Sequence, residues 1–218
     1  MPLVPWWTLI SSALAPVVLI CGWVFAAPLQ PVGYDPMVQS ISALAAQGAA
    51  DPWLMTFALF AAGVCHMVTG VGLRSAARAG RIALFCGGLA AILVALSPEP
   101  SDGGISLRHV TSTAIGFTAL ALFPILAAVR GYVSAWTLRP TTGYAVTALM
   151  GAFAVWFLLE LHGHGYAGFV ERLLTSVQSF WPLIVVVACL GSRKLQAPAH
   201  RVPVTAGVAH GEKSDSNH

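Results

Sequence analysis

The sequence predicts an all-α membrane protein, a polytopic bundle of six transmembrane helices. Hydrophobic residues make up 57% of the chain and charged residues only 9%, whereas a soluble domain has about 25% charged residues. Crossing a bilayer takes about 20 predominantly apolar residues, and a transmembrane barrel would instead show short alternating segments, which are absent. The predicted spans cover residues 7–27, 53–73, 82–97, 109–129, 142–160 and 169–190.

Lysine and arginine are distributed unevenly among the segments that flank these spans. Alternate loops lie on opposite sides of the bilayer, and one side holds only Arg108 and Arg172. The other side holds Arg74, Arg78, Arg81, Arg130, Arg139, Arg193, Lys194, Arg201 and Lys213. Because short cytoplasmic loops retain basic residues, we expect both termini in the cytoplasm. The basic residues are dispersed over three segments and not grouped on one face, which argues against a nucleic-acid partner.

The first outer loop carries the clearest helix signals outside the spans. Asp35 before Pro36 is typical of a helix start and Gly48 of a helix end, so we predict a short interfacial helix over residues 36–47. Asp51 before Pro52 repeats this pattern and is predicted to cap the second span.

The chain changes character after Lys194. Residues 195–218 mix proline, glycine, histidine, serine and charged residues without periodicity, which predicts a disordered cytoplasmic tail. We therefore divide the chain into a six-span domain, residues 1–194, and a tail, residues 195–218.

Polar side chains within the spans concentrate in the outer half of the membrane, mainly in spans four and six. Charged groups at such depths avoid lipid by facing one another or water, so we predict an outward-facing polar pocket between spans four, five and six, roofed by the first loop. Its candidate residues are Asp35, Ser40, Ser42, His109, Ser112, Thr113, Glu160, Glu171, Arg172 and Gln178. His66, alone in the inner half of span two, is interpreted as a packing residue.

Two interpretations of this pocket remain open. It is a binding or catalytic site, or its polar groups form an interhelical hydrogen-bond network that holds the bundle together. His109, His162 and His164 have the ligand chemistry of a zinc site, but His162 and His164 lie two residues apart in a glycine-rich loop, a spacing that fixes no geometry. The leading hypothesis is a membrane protein that binds a lipid or small amphiphile; the alternative is an intramembrane hydrolase, metal-dependent or not, acting on a lipid headgroup or ester. No particular cofactor is indicated.

Three segments, GYDPMVQSISALAAQGAADPWLM, PEPSDGGISLRH and GFVERLLTSVQSFWPLIVV, resemble in order and spacing the membrane proteins grouped as domain of unknown function 998. The resemblance runs from about residue 10 to 190. It implies a six-span helical membrane protein and brings no established activity. We expect this protein to lie in a bacterial inner (cell) membrane, in contact with membrane lipids. The segment SISALAA is also similar to a loop of Frag1/DRAM/Sfk1 proteins, which are linked to lipid organisation. Whether the chain has a protein partner or forms a homo-oligomer stays open.

Overall fold

The computed structural model describes residues 4–100, 104–131, 135–163 and 165–194; the predicted tail and His164 lie outside these ranges. Its long helices are α1 (Trp6–Ala26), α2 (Pro52–Gly72), α3 (Arg78–Ala95), α4 (Leu107–Leu126), α5 (Pro140–Gly163) and α6 (Ala167–Lys194). All six are long and apolar enough to cross a membrane, and the described ranges contain no strand. The predicted six-helix architecture is confirmed.

The helices form a ring in chain order. Each packs against the next along the chain, and α6 closes the ring on α1. Helices α2 and α3 approach one another closely at Gly63 and Gly88, where a Cβ added to either glycine would collide with the backbone oxygen of the other. Small residues at a helix crossing in a membrane allow this close approach of two backbones.

Loops at each end of the ring bond to one another. At one end, which we call the arginine end because it holds Arg74, Arg78 and Arg81, the Ala77 amide donates to the Ala127 carbonyl oxygen at 3.1 Å. At the opposite end, which we call the loop end, the Gln47 amide donates to the Glu99 carbonyl oxygen at 2.9 Å. Alternate loops therefore meet at the same end, as six antiparallel spans require.

The helix predicted over residues 36–47 is wrong in its extent. Residues 36–38 form a turn, and only Ser42–Ala45 are helical, as a short 3-10 helix. The Asp35 carboxylate accepts a hydrogen bond from the Met37 amide at 2.8 Å, which closes a local turn and starts no helix. The backbone groups that a helix would use internally are bonded to α6 instead, as described below.

Asp51 does not cap α2 as predicted. Its backbone is in the left-handed region, with φ of 46°, and its side chain makes no capping hydrogen bond. The carboxylate instead accepts a hydrogen bond from the indole N–H of Trp53 at 3.2 Å. Pro52 remains the first residue of α2, consistent with a proline preset for helix entry.

Candidate ligand-binding cavity and its cover

A cavity of about 80 Å³ lies inside the ring. Helices α1, α2, α3, α4 and α6 line it, and Ile41 and Ser42 of the first loop contribute at the loop end. None of its lining residues comes from α5. The cavity therefore differs from the predicted pocket, because α1, α2 and α3 provide walls that the sequence pattern had not indicated.

Apolar side chains form much of the cavity wall, but several polar side chains face the same space. They are Ser42, His66, Ser112, Thr113, Glu171, Thr175, Gln178 and Ser179. Three buried polar atoms in this set have no hydrogen-bond partner within the described part of the chain: His66 Nδ1, Thr113 Oγ1 and Gln178 Oε1. An unpaired buried polar group costs about 1–3 kcal/mol, so three such atoms around one cavity favour its occupation by ordered water or by a polar ligand.

Gln178 presents a fixed acceptor to the cavity. Its side-chain amide nitrogen donates to the Phe117 carbonyl oxygen of α4 at 3.0 Å, and the residue is only 1% exposed. The amide oxygen has no partner within the described part of the chain, so it is the acceptor that this side chain presents to a ligand.

His66, Thr175 and Ser179 line the cavity although they were not among the predicted candidates, and His66 had been interpreted as a packing residue. His66 is 2% exposed and its Nδ1 is unpaired, so it is no satisfied packing residue. A signal was present: Gly63 and Gly70 flank His66 at three and four residues, and glycines at helical spacing mark the face of α2 that packs against α3. A histidine beside such a face points into the bundle.

Glu171 connects the cavity wall to the loop above it. The carboxyl group is buried, lines the cavity and accepts a hydrogen bond from the Ile41 amide at 2.6 Å. Ile41 and Ser42 belong to the segment 34–45, which we call the cover loop. A carboxyl group of α6 thereby holds the cover loop at the loop end of the cavity.

The neighbouring Arg172 also binds the cover loop. Its guanidinium donates to the carbonyl oxygens of Pro36 and Gln39 at 2.7 and 3.0 Å, and to the Tyr34 hydroxyl at 2.8 Å. Burial raises the pKa of Tyr34 above its ordinary value, although the Arg172 charge opposes the rise. Tyr34 is therefore a neutral phenol at pH 7, and the Arg172 side chain is used for the loop and not for the cavity.

The cover loop also caps the start of α6. The Gly168 amide donates to the Val38 carbonyl oxygen at 3.1 Å and the Phe169 amide to the Met37 carbonyl oxygen at 2.9 Å. The first amides of a helix have no partner inside it, so these bonds satisfy both elements at once. A Cβ on Gly168 would lie 2.7 Å from the Pro36 carbonyl oxygen, which shows how closely the loop backbone approaches.

Asp35 and Ser40 act within the cover loop. Asp35 closes the turn already described, and the Ser40 hydroxyl oxygen accepts a hydrogen bond from the Ala43 amide at 3.1 Å, at the start of the 3-10 helix. Neither residue lines the cavity. They shape the loop whose Ile41 and Ser42 do.

His109 stands apart from the cavity and fixes the loop between α3 and α4. Its Nδ1–H donates to the Ser97 carbonyl oxygen at 2.9 Å, and its Nε2 lies 3.3 Å from the Glu99 carboxylate. Because the Glu99 carbonyl oxygen also accepts from the Gln47 amide, this histidine belongs to the hydrogen-bonded network of the loop end.

Glu160 and His162 are also separate from the cavity. Glu160 accepts from the Trp156 indole N–H at 2.9 Å and from the Tyr166 amide at 2.8 Å, which closes the turn between α5 and α6. His162 Nδ1 bonds to the Leu158 carbonyl oxygen one helical turn earlier. Within the described ranges no group of three His, Cys, Asp or Glu side chains could hold a metal ion, so this part of the chain adds nothing to the metal hypothesis; His164 lies outside it.

The candidate residues thus separate into three places. Ser42, Ser112, Thr113, Glu171 and Gln178 line the cavity. Asp35, Ser40 and Arg172 hold the cover loop, while His109 and Glu160 bond within other turns of the loop end. Helical spacing therefore selected residues that line one wall of the cavity, together with residues that hold the loops in place.

Six apolar helices around an internal cavity define a polytopic integral membrane protein. The chain belongs to the family described as Protein of unknown function (DUF998), whose sequence profile matches residues 13–188, a region that contains every residue lining the cavity. Comparison with the curated proteins and with the solved structures gave no match.

Proposed function

We propose that this membrane protein binds a small amphiphile, or the head of a lipid, in the cavity beneath the cover loop. The observation that carries the proposal is the set of unpaired buried atoms, His66 Nδ1, Thr113 Oγ1 and Gln178 Oε1, around one space. Buried polar groups are normally paired with protein, ordered water or ligand, so these atoms support a polar guest.

The chemistry of the wall favours a guest that donates hydrogen bonds. Gln178 offers an unpaired oxygen beside the second N–H of its amide, and Glu171 adds a carboxyl group with one bonded oxygen, Oε2. The hydroxyl of Thr113 can either donate or accept. A hydroxyl or a protonated amine can donate hydrogen bonds to the oxygen atoms of Gln178 and Glu171. A carboxylate has no hydrogen to donate to them.

The size of the cavity limits the guest. Pockets for drug-sized ligands usually measure about 300–1,000 Å³, whereas this cavity has about 80 Å³. It takes the head and first carbons of an amphiphile, with the carbons against Leu19, Leu59 and Leu120. A complete phospholipid does not fit.

The proposal is tested with three short amphiphiles of equal chain length: octylamine, octanol and octanoate. Each is added to the protein purified into lipid nanodiscs, and the thermal unfolding midpoint is measured, because a ligand that binds the folded state raises it. We expect octylamine and octanol to raise the midpoint and octanoate to leave it unchanged. Glu171→Gln should weaken octylamine binding at least about tenfold, since a hydrogen bond to a charged group contributes about 1.5–3 kcal/mol and about 1.4 kcal/mol is a factor of ten.

The matched pair of variants is Gln178→Leu and Gln39→Leu. Gln178→Leu removes the acceptor inside the cavity, whereas the Gln39 side chain is exposed in the cover loop. The first should abolish the shifts caused by octylamine and octanol and the second should keep them. Equal shifts by octanoate, or unchanged shifts in Gln178→Leu, would show that the amphiphiles stabilise the protein from outside the cavity and would overturn the proposal.

The proposed location is a bacterial cell membrane, with the arginine end and both termini in the cytoplasm. The nine-to-two partition of basic residues supports it. Reporter fusions after Arg78, after Arg139 and at the C-terminus should therefore report cytoplasm, and fusions after Glu99 and Gly163 should report the opposite side. A C-terminal fusion active only outside the cytoplasm would reverse the orientation while leaving the cavity proposal intact.

A further inference from the structure

A groove runs along the outer surface of α2 and α3 and includes Trp7 of α1 in its lining. One part, about 500 Å³, is lined only by apolar and aromatic side chains: Trp7, Val64, Met67, Val68, Val71, Phe85 and Ile92. A second part, about 420 Å³, shares Val71 and Phe85 with the first and adds Gly70, Arg78, Arg81 and Ile82. The groove therefore passes from an apolar middle to two guanidinium groups at the arginine end.

Arg81 is fixed in place at the end of this groove. Its Nε donates to the Gly70 carbonyl oxygen at 3.0 Å and its Nη2 to the Val71 carbonyl oxygen at 2.9 Å, which satisfies acceptors near the C-terminus of α2. A guanidinium has five N–H donors, so these two bonds leave others for a ligand.

Arg78 lies one helical turn before Arg81, on the same face of α3. Its side chain is exposed and has no hydrogen bond or ion pair with any described residue. The acidic residues of the described ranges, Asp35, Asp51, Glu99, Glu160 and Glu171, all belong to the loop end of the bundle. Two positive charges thus meet in a groove without a protein counter-ion in these ranges.

We propose that the groove binds one anionic phospholipid from the leaflet at the arginine end. Its phosphate lies between Arg78 and Arg81, and an acyl chain follows Val68 toward Ile92. Basic residues near a membrane surface attract anionic lipids, and basic pockets beside transmembrane helices bind their headgroups. The apolar continuation distinguishes this site from a purely electrostatic patch. The groove shares no lining residue with the cavity, so a negative result at one site leaves the proposal for the other site intact.

The test counts lipids retained by the purified protein in native mass spectrometry after exchange into nanodiscs of phosphatidylglycerol or of phosphatidylcholine. We expect one retained phosphatidylglycerol and no retained phosphatidylcholine. Inorganic phosphate added in detergent should not raise the thermal unfolding midpoint, because it lacks the acyl chain. A rise of the unfolding midpoint with phosphate alone would contradict the proposal of a lipid site and would indicate a site for an inorganic anion only.

Two pairs of variants test the charge of Arg78 and the open space of the groove separately. Arg78→Gln should weaken phosphatidylglycerol binding about fivefold, the equivalent of about 1 kcal/mol for one basic residue near the surface. Arg74→Gln, at an exposed arginine of the same end that does not line the groove, should change it little. Arg81 is left intact because its bonds hold the end of α2.

The second pair fills the groove without changing any charge. Val71→Trp places an indole where the two parts of the groove meet, and Val155→Trp places one on the exposed face of α5. The first should lower phosphatidylglycerol retention and the second should not. An equal loss in Arg74→Gln and Arg78→Gln, or full retention in Val71→Trp, would overturn the site. Size-exclusion elution as a single peak shows that each variant is folded.

Discussion

Replacing Arg172 with leucine is expected to release the cover loop from α6 and to lower the free energy of unfolding by about 2–4 kcal/mol, because a hydrogen bond to a charged group contributes about 1.5–3 kcal/mol and neighbouring bonds are not additive. The change removes the donors to Pro36, Gln39 and Tyr34. The free energy is measured by unfolding in mixed micelles. Release of the loop is measured separately, as faster labelling of a cysteine placed at Met37 by a membrane-impermeant thiol reagent.

The controls for this prediction separate charge from geometry. Arg172→Lys keeps the charge, but a single ammonium cannot reproduce the planar fork of a guanidinium, so an intermediate loss is expected. Arg108→Leu changes an exposed arginine at the same end, whose side chain bonds to no described residue, and should be neutral. Wild-type stability and labelling in Arg172→Leu would mean that the cap on α6 and the Glu171 bond hold the loop without it.

The six helices could be predicted because their signal is local. Bilayer thickness sets the length of an apolar run, and the backbone must satisfy its own hydrogen bonds within it. Each helix can therefore be predicted from its own sequence of about 20 residues. The predicted start at residue 53 and the observed start at Pro52 illustrate how closely such a signal places an end.

The cover loop could not be predicted in this way, because its hydrogen bonds are non-local. The Ile41 amide bonds to Glu171, 130 positions away along the chain. The Pro36 carbonyl oxygen bonds to Arg172, 136 positions away. Asp35 and Pro36 give a true turn signal, but tertiary bonds then use the backbone groups that would have continued a helix.

The candidate site was predicted in part for a related reason. Helical spacing places Ser112 and Thr113 on an inward part of α4, and both line the cavity. His109 lies one turn earlier and bonds to the α3–α4 loop instead. Periodicity gives the direction of a side chain around the helix axis, but not which neighbouring segment meets it at that depth. Glu171 and Arg172, adjacent in sequence, accordingly serve the cavity wall and the cover loop.

The second large effect on the free energy of unfolding is expected from a substitution at the crossing of α2 and α3. Gly88→Leu is expected to lower the free energy of unfolding by about 3 kcal/mol, at the upper end of the usual range for overpacking. A Cβ at residue 88 would collide with the Gly63 carbonyl oxygen and lie 2.9 Å from both Met67 N and Met67 Cγ. A backbone carbonyl cannot rotate away, so the two helices must separate.

Gly151→Leu is the matched control for Gly88→Leu, since it makes the same change in α5 where a Cβ would meet nothing within 4 Å. Leucine favours a helix over glycine by up to about 1 kcal/mol, so Gly151→Leu should be neutral or stabilising while Gly88→Leu destabilises. Gly87, beside the crossing, and His66 of α2 both line the cavity. Separation of α2 from α3 should therefore also reduce the thermal shift caused by octylamine. A Gly88→Leu protein with wild-type unfolding and an undiminished shift would show that the crossing can widen freely and does not define the cavity.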